Sequence, residues 1–362
     1  MKRAIVGIAA AGLLGILAAS VQAEEPSSSE PSSSGPDWTF GASTSYVYDF
    51  NSPNGGSGFN ALTYANQKPR DESFNIDLMQ LGVSGQRGRA SYRALLDFGD
   101  LARLADNSTD AQIALQEAWL AYDLDSVGIG AGRFNTPIGY EVLEPWGNAH
   151  ISRSWGWQAQ PINHDGIQAH GHADIIEVTV GVVNSFTVAD NPPNVNDTNN
   201  DKGVVASFNA AVSDQFNFYF SGIYNDNDNG PEVKMLNAIA SGGAPLAGEQ
   251  VTYAVEGNWR QNNPTGASDL DFYNIALYLG TTYGPTNFYV RADYTDDDGI
   301  VTPTSTNIWS VTIDLSWALV EGMDFRIEYR HDDADDSIFG DGNSTSDSDD
   351  TVQAQLLWYP EL

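Results

Sequence analysis

The sequence predicts an all-β protein, a transmembrane antiparallel β-barrel of sixteen strands with fourteen as the fallback. Three observations carry this. Segments of roughly ten residues alternate between apolar and polar side chains, aromatic residues bound the apolar rows, and short turns alternate with long polar loops. Beyond residue 23 no run approaches the ~18 consecutive apolar residues a membrane helix needs, so a crossing must use strands.

Composition narrows the classes. The 362 residues hold 16 Lys+Arg against 48 Asp+Glu, a net charge of −32, and no Cys. Such an acidic chain repels phosphate, so nucleic acid is excluded as a partner. Disulfides, thiolate nucleophiles and Cys-bound zinc are excluded too. Apolar residues at 41% and aromatics at 11% are too many for a disordered acidic chain.

Residues 1–23 read as a cleaved export signal. Lys2 and Arg3 precede an apolar stretch, and Val21-Gln22-Ala23 places small residues where a signal peptidase cuts. Residues 24–36, EEPSSSEPSSSGP, have nothing to bury and read as a flexible periplasmic linker. The barrel then occupies 37–362.

The clearest strand runs from Ile308 to Trp317. Trp309, Val311, Ile313, Leu315 and Trp317 share one face, and Ser310, Thr312, Asp314 and Ser316 the other. The two Trp lie roughly 27 Å apart at ~3.4 Å per residue, or roughly 21 Å when tilted, close to the apolar band between two aromatic girdles. A soluble β-sandwich also alternates, but it needs neither an export signal nor aromatics at strand ends.

Fifteen strands are recognisable, near 38–48, 74–85, 89–98, 112–123, 126–134, 164–172, 174–184, 203–213, 215–225, 251–260, 271–281, 286–295, 307–318, 323–331 and 351–359. An even number is required if both termini are periplasmic, so the missing strand is expected in 232–248, around Val233 to Ala240. Short turns are expected at 85–88, 123–125, 172–174, 213–215, 283–285 and 320–322. Long external loops are expected at 49–73, 100–111, 135–162, 185–202, 226–250, 296–306 and 331–350.

One stretch carries a motif. Gly132-Arg133-Phe134-Asn135-Thr136-Pro137-Ile138-Gly139-Tyr140-Glu141 is followed by Ser152-Arg153-Ser154 and then by Pro161, His164, Asp165 and Gly166. It resembles the composite motif of the OmpL-like β-barrel porins over about 35 residues, and the strand-and-loop plan agrees over the rest. The resemblance implies an outer-membrane channel for small solutes.

The motif segment leaves a strand near Phe134 and returns near His164, and Pro137, Pro145 and Pro161 prevent regular pairing between them. It carries Trp146, Trp155 and Trp157 with Glu141, Glu144, His150 and Arg153. One reading folds this loop into the lumen as a constriction; the other leaves it outside as a cap packed on its own aromatics.

Inward positions supply candidate pore-lining groups: Arg93, Arg260, Arg291, Arg326 and Arg330, interleaved with Asp97, Glu256, Asp293, Asp314 and Glu328. Five against five leaves the wall near neutral. The Asp-rich loops, with Asp296 to Asp298 and Asp332 to Asp336, should then give a weak cation preference, and Arg326→Ala should strengthen it.

Other motifs are set aside. Asp197 to Asp201 and Asn225 to Gly230 resemble calcium loops but lack the closing Glu. His170 and His172 share a strand face without an evident third ligand. His164-Asp165 and His331-Asp332-Asp333 sit near strand ends, but there is no nucleophile elbow. No catalytic residues, metal ligands or cofactor are therefore expected.

The function expected is passive diffusion of small hydrophilic solutes and ions. A structural or adhesive barrel with a plugged lumen is the competing class, and an outer-membrane hydrolase a weaker one. Expected partners are outer-membrane lipid, lipopolysaccharide and the solutes, with a homotrimer as the assembly considered.

Overall fold

The computed structural model describes residues 35–52, 71–105, 113–184, 201–213, 215–225, 231–246, 249–264, 266–341 and 344–359. The expected export signal, nearly all of the expected linker and both calcium-like motifs lie wholly or mostly outside these residues.

The strands are β1 (Asp37–Asp49), β2 (Ser73–Arg87), β3 (Ala90–Phe98), β4 (Ile113–Asp123), β5 (Val127–Asn135), β6 (Asn163–Ala173), β7 (Ile176–Asn184), β8 (Lys202–Ser213), β9 (Phe216–Asn225), β10 (Glu232–Leu246), β11 (Glu249–Asn263), β12 (Leu270–Tyr283), β13 (Thr286–Asp297), β14 (Thr306–Val320), β15 (Met323–Ala334), β16 (Phe339–Asp341), β17 (Ser344–Ser346) and β18 (Ser348–Trp358). β16 and β17 form a separate hairpin. The other sixteen pair antiparallel in chain order, and β18 returns to β1 to close the barrel. At that seam Ala42 faces Trp358 and Asp49 faces Thr351.

The expected sixteenth strand is β10. Its mixed composition hides it, because Val233, Met235 and Ile239 point inward beside Asn237 while Leu236 faces out. The expected long loop at 226–250 is corrected accordingly: 232–246 is strand, paired to β11 along its length and to β9 over 233–241.

Burial is inverted relative to a water-soluble protein. On β14, Trp309 and Ile313 are exposed while Ser310, Thr312, Asp314 and Ser316 are buried. Apolar outer rows run across strands, as in Val290, Ile313 and Tyr329 on β13, β14 and β15. Hydrocarbon must cover that face, since water would leave it unsatisfied. Among the described residues no helix is long and apolar enough to cross a membrane.

Several of the short turns hold a left-handed residue: Gly88, Asp125, Asp174, Gly284 and Gly322. Such positions favour Gly or Asp and tighten the reversal. At the opposite rim, a short helix α1 (Ala102–Ala105) follows β3 and packs inward.

Candidate functional site: the loop inside the barrel

The segment between β5 and β6 lies within the barrel. Its neck is closed where the Thr136 amide donates to the Ile162 carbonyl at 2.9 Å. Gly139 turns the chain at φ +97°, and a Cβ there would collide with Gln160. A 3-10 turn at Pro145–Gly147 precedes a one-turn helix α2 (Trp155–Gln158), whose Ser154 hydroxyl accepts from the Trp157 amide. The prolines deny this segment a strand partner, so its polar backbone must find partners elsewhere.

The barrel wall supplies them. Glu256 accepts from the Tyr140 amide at 3.0 Å, and Glu328 from the Ile151 and Ser152 amides at 2.7 and 3.0 Å. Asp293 accepts from the Trp155 amide, and Asp332 from the Trp155 indole. Arginines serve the carbonyls: Arg326 donates to Pro145 and Asn148, Arg330 to Arg153, and Arg260 to Ala159. Arg291 bonds the Glu141 carboxylate at 2.8 Å and both oxygens of Ser152. His150 Nδ1 lies 2.6 Å from Asp314.

The expected pore-lining set is therefore corrected in its role. Glu256, Arg260, Arg291, Asp293, Asp314, Arg326, Glu328 and Arg330 do point inward, but each is buried beneath the loop and holds it. Asp97 is buried against Gln80. Arg93 pairs with Glu117 at 2.7 Å and, alone of the ten, keeps part of its side chain in solvent. Among the described residues these arginines form no free basic strip.

Of the loop candidates, Glu141, His150 and Arg153 are buried. Glu144 is half-buried and accepts from Gln116 at 2.7 Å. Arg153 folds the loop upon itself by donating to the carbonyls of Val142, Leu143 and Ile151. Glu141 also accepts from the Ser154 amide. Burial lowers the Arg153 pKa only to about 10, so its charge persists at neutral pH. Burial, then the surrounding arginines, push the His150 imidazole well below its usual range.

Apolar contacts fix the loop around much of the wall. Ile138 packs with Val183, Val205, Ile223 and Met235, and Trp155 with Ile308, Ala334, Ile338 and Phe339. Leu143 and Trp157 pack with Leu78, Leu101 and Ala114. Trp146 occupies the space where Gly41 of β1 lacks a side chain.

Gln80, Gln116, Asn148, Gln160, Asn237 and Asn258 also join the network. On the strands, Gln80, Gln116, Asn237 and Asn258 look like ordinary polar lining, with alternation as their one signal, while Asn148 and Gln160 lie in the loop, where no periodicity marks them. His331 faces outward against the Trp309 ring while Asp332 points inward, so these neighbours form no catalytic group.

A closed barrel of sixteen antiparallel strands, apolar outside and polar inside, with a loop folded into its lumen, defines an outer-membrane porin-type barrel. The chain belongs to the family described as "Putative beta-barrel porin-2, OmpL-like", whose model matches residues 41–357. A comparison with curated protein sequences gives no match. Among solved structures, a loop L8 deletion mutant of OmpT, an outer membrane protein of Vibrio cholerae, is similar at TM-score 0.61 and 10% identity, covering 90% of this chain and 99% of its own. An anion-selective porin from Comamonas acidovorans gives 0.59 and 10%, covering 90% and 100%. The outer membrane channel DcaP of Acinetobacter baumannii gives 0.57 and 10%, covering 89% and 97%. At these identities the likeness concerns the fold.

Proposed function

We propose that the protein is a non-enzymatic diffusion channel of restricted bore for small hydrophilic solutes and ions, with a weak cation preference. The observation that carries this is the loop anchored inside the lumen, which narrows it from within. Toward the turn end of the barrel the inward residues Gln168, His170, Glu177, Thr179 and Ser207 retain solvent access, so a vestibule opens below the loop. On the loop, Val142, Glu144, Trp146 and Ala149 are likewise only partly covered.

The cation preference now rests on the mouth. Wall arginines are committed to the loop, whereas Asp296, Asp298, Asp335, Asp336, Asp341 and Asp347 are exposed at the loop end. Charges there concentrate cations within a Debye length, ~8–10 Å at physiological salt. A reversal potential in a salt gradient tests it; anion preference in about 0.1 M salt contradicts it.

A second reading, a structural or adhesive barrel closed by its plug, draws on the loop's contacts from β1 round to β15. Absence of any conductance from folded barrels in planar bilayers would favour it.

A homotrimer is the assembly we propose. β5, β6 and β7 carry no Trp, Tyr or Phe on their outer faces, where Ile129, Ala131, Ile167, Ala169, Val180 and Val182 stand. An Arg133–Asp165 pair, at 2.7 and 2.9 Å, shares that outer row. Lipid-exposed barrel faces carry aromatic girdles, so this gap suits another copy of the chain. One of the similar structures, Vibrio cholerae OmpT, is described in a trimer form. Native mass spectrometry reads the assembly.

A further inference from the structure

We propose that His150, Asp314 and Glu328 bind one transition-metal ion, zinc before others, which staples the loop to the wall.

The β14–β15 register sets Asp314 directly opposite Glu328, both inward and both fully buried. Opposed like charges destabilise a sheet, and buried ones need a counter-charge. The nearby arginines do not provide it through direct bonds. Arg291 is committed to Glu141, Ser152 and Thr312, Arg330 to Asp332 and loop oxygens, Arg326 and Arg153 to loop carbonyls. The imidazole of His150 stands at 2.6 Å from Asp314. Two carboxylates and one imidazole thus converge at one point of the wall.

The ligand atoms of the three residues all lie within 4.8 Å of one another, and they form the one such group among the described residues. Asp314 Oδ1 has no hydrogen-bond partner although it is buried, so one oxygen is left free for a ligand. Nε2 of His150 is likewise without a partner, whereas Nδ1 faces Asp314, so Nδ1 is the nitrogen that would coordinate an ion held between the two residues. Zinc binds nitrogen and carboxylate oxygen at about 2.0–2.2 Å, so a small separation of His150 from Asp314 admits it. Calcium and magnesium demand roughly six or more oxygens, whereas an imidazole selects zinc and its neighbours. Because the three side chains come from the loop and from two adjacent strands, the ion would be enclosed as the loop folds in.

The test is metal retention, which is independent of conductance and of solute. The full barrel is refolded with Zn²⁺ or with EDTA, desalted, and assayed for metal, with folding verified by heat-modifiable gel mobility. The expected result is about one zinc per chain in the wild type, none in D314N or H150Q, and full retention in a variant with both His170 and His172 replaced by Ala. X-ray absorption of the zinc-loaded wild type should show one imidazole in the coordination sphere, which keeps the test decisive if the variants misfold. The proposal is overturned if the folded wild type retains no zinc, if the bound zinc shows no imidazole, or if zinc is lost with His170 and His172 and kept in H150Q.

Discussion

Arg291 of β13 reaches Glu141 of the infolded loop at 2.8 Å, with both side chains buried. The same guanidinium bonds the backbone carbonyl and the hydroxyl of Ser152, eleven residues further along the loop. One wall residue thus clamps both limbs of the loop. Glu141→Ala removes the hydrogen-bonded carboxylate of the buried Arg291 and leaves it only Asp293 at 3.6 Å, which should cost about 3 kcal/mol. Urea unfolding in lipid vesicles measures this. The Glu141→Ala, Arg291→Ala double variant should lose less than the sum of the singles, and strict additivity would mean that the pair is not coupled.

Gly41 and Trp146 meet where β1 has no side chain. Gly41→Val should push the Trp146 ring away, expose the loop and increase its cleavage by protease. Adding Trp146→Ala should relieve the clash and restore part of the stability. If Gly41→Val folds with unchanged stability and cleavage, Trp146 does not pack there.

The outer face makes a different demand. Ile313 lies midway between Trp309 and Trp317 and faces outward, whereas Thr312 is buried and bonded to Arg291. Ile313→Arg should destabilise the folded barrel in vesicles by about 2–4 kcal/mol. A neutral result would mean that lipid does not cover this position.

Fold and orientation were legible in the sequence because a strand exposed to lipid on one side and water on the other must alternate, as 308–317 does. β10 was legible only through parity, since its inward Val233, Met235 and Ile239 break the polar-in pattern, the first two in the cluster of loop residue Ile138. The facing of Arg291, Arg326, Glu256 and Glu328 was also legible. Their roles were not, because periodicity tells which way a side chain points and nothing of what fills the space ahead of it. The motif at 132–166 was visible, yet the pairing of Glu141 with Arg291 spans 150 positions and leaves no local trace.

Charge at the mouth should govern selectivity. Neutralising Asp296, Asp298, Asp335 and Asp336 to Asn should reduce the cation preference, most at low salt. Asp297 and Asp332 are poor targets: Asp297 caps the amides of residues 299–302, and Asp332 binds Arg330. Arg326→Ala should loosen the loop rather than sharpen selectivity, in contrast to what the sequence alone suggested. Reversal potentials of the two sets distinguish these outcomes.

The central claim is that the loop between β5 and β6 narrows the pore from within. Single-channel conductance in planar bilayers, comparing the wild type with a barrel lacking residues 141–152, tests it most directly. The deletion removes Glu141, His150 and Ser152, and with them the partners of Arg291, Asp314 and Glu328. A folded deletion barrel should show a larger unitary conductance. An unchanged conductance in a well-folded deletion would contradict the account, because the wall residues would then have been closing the pore without the loop.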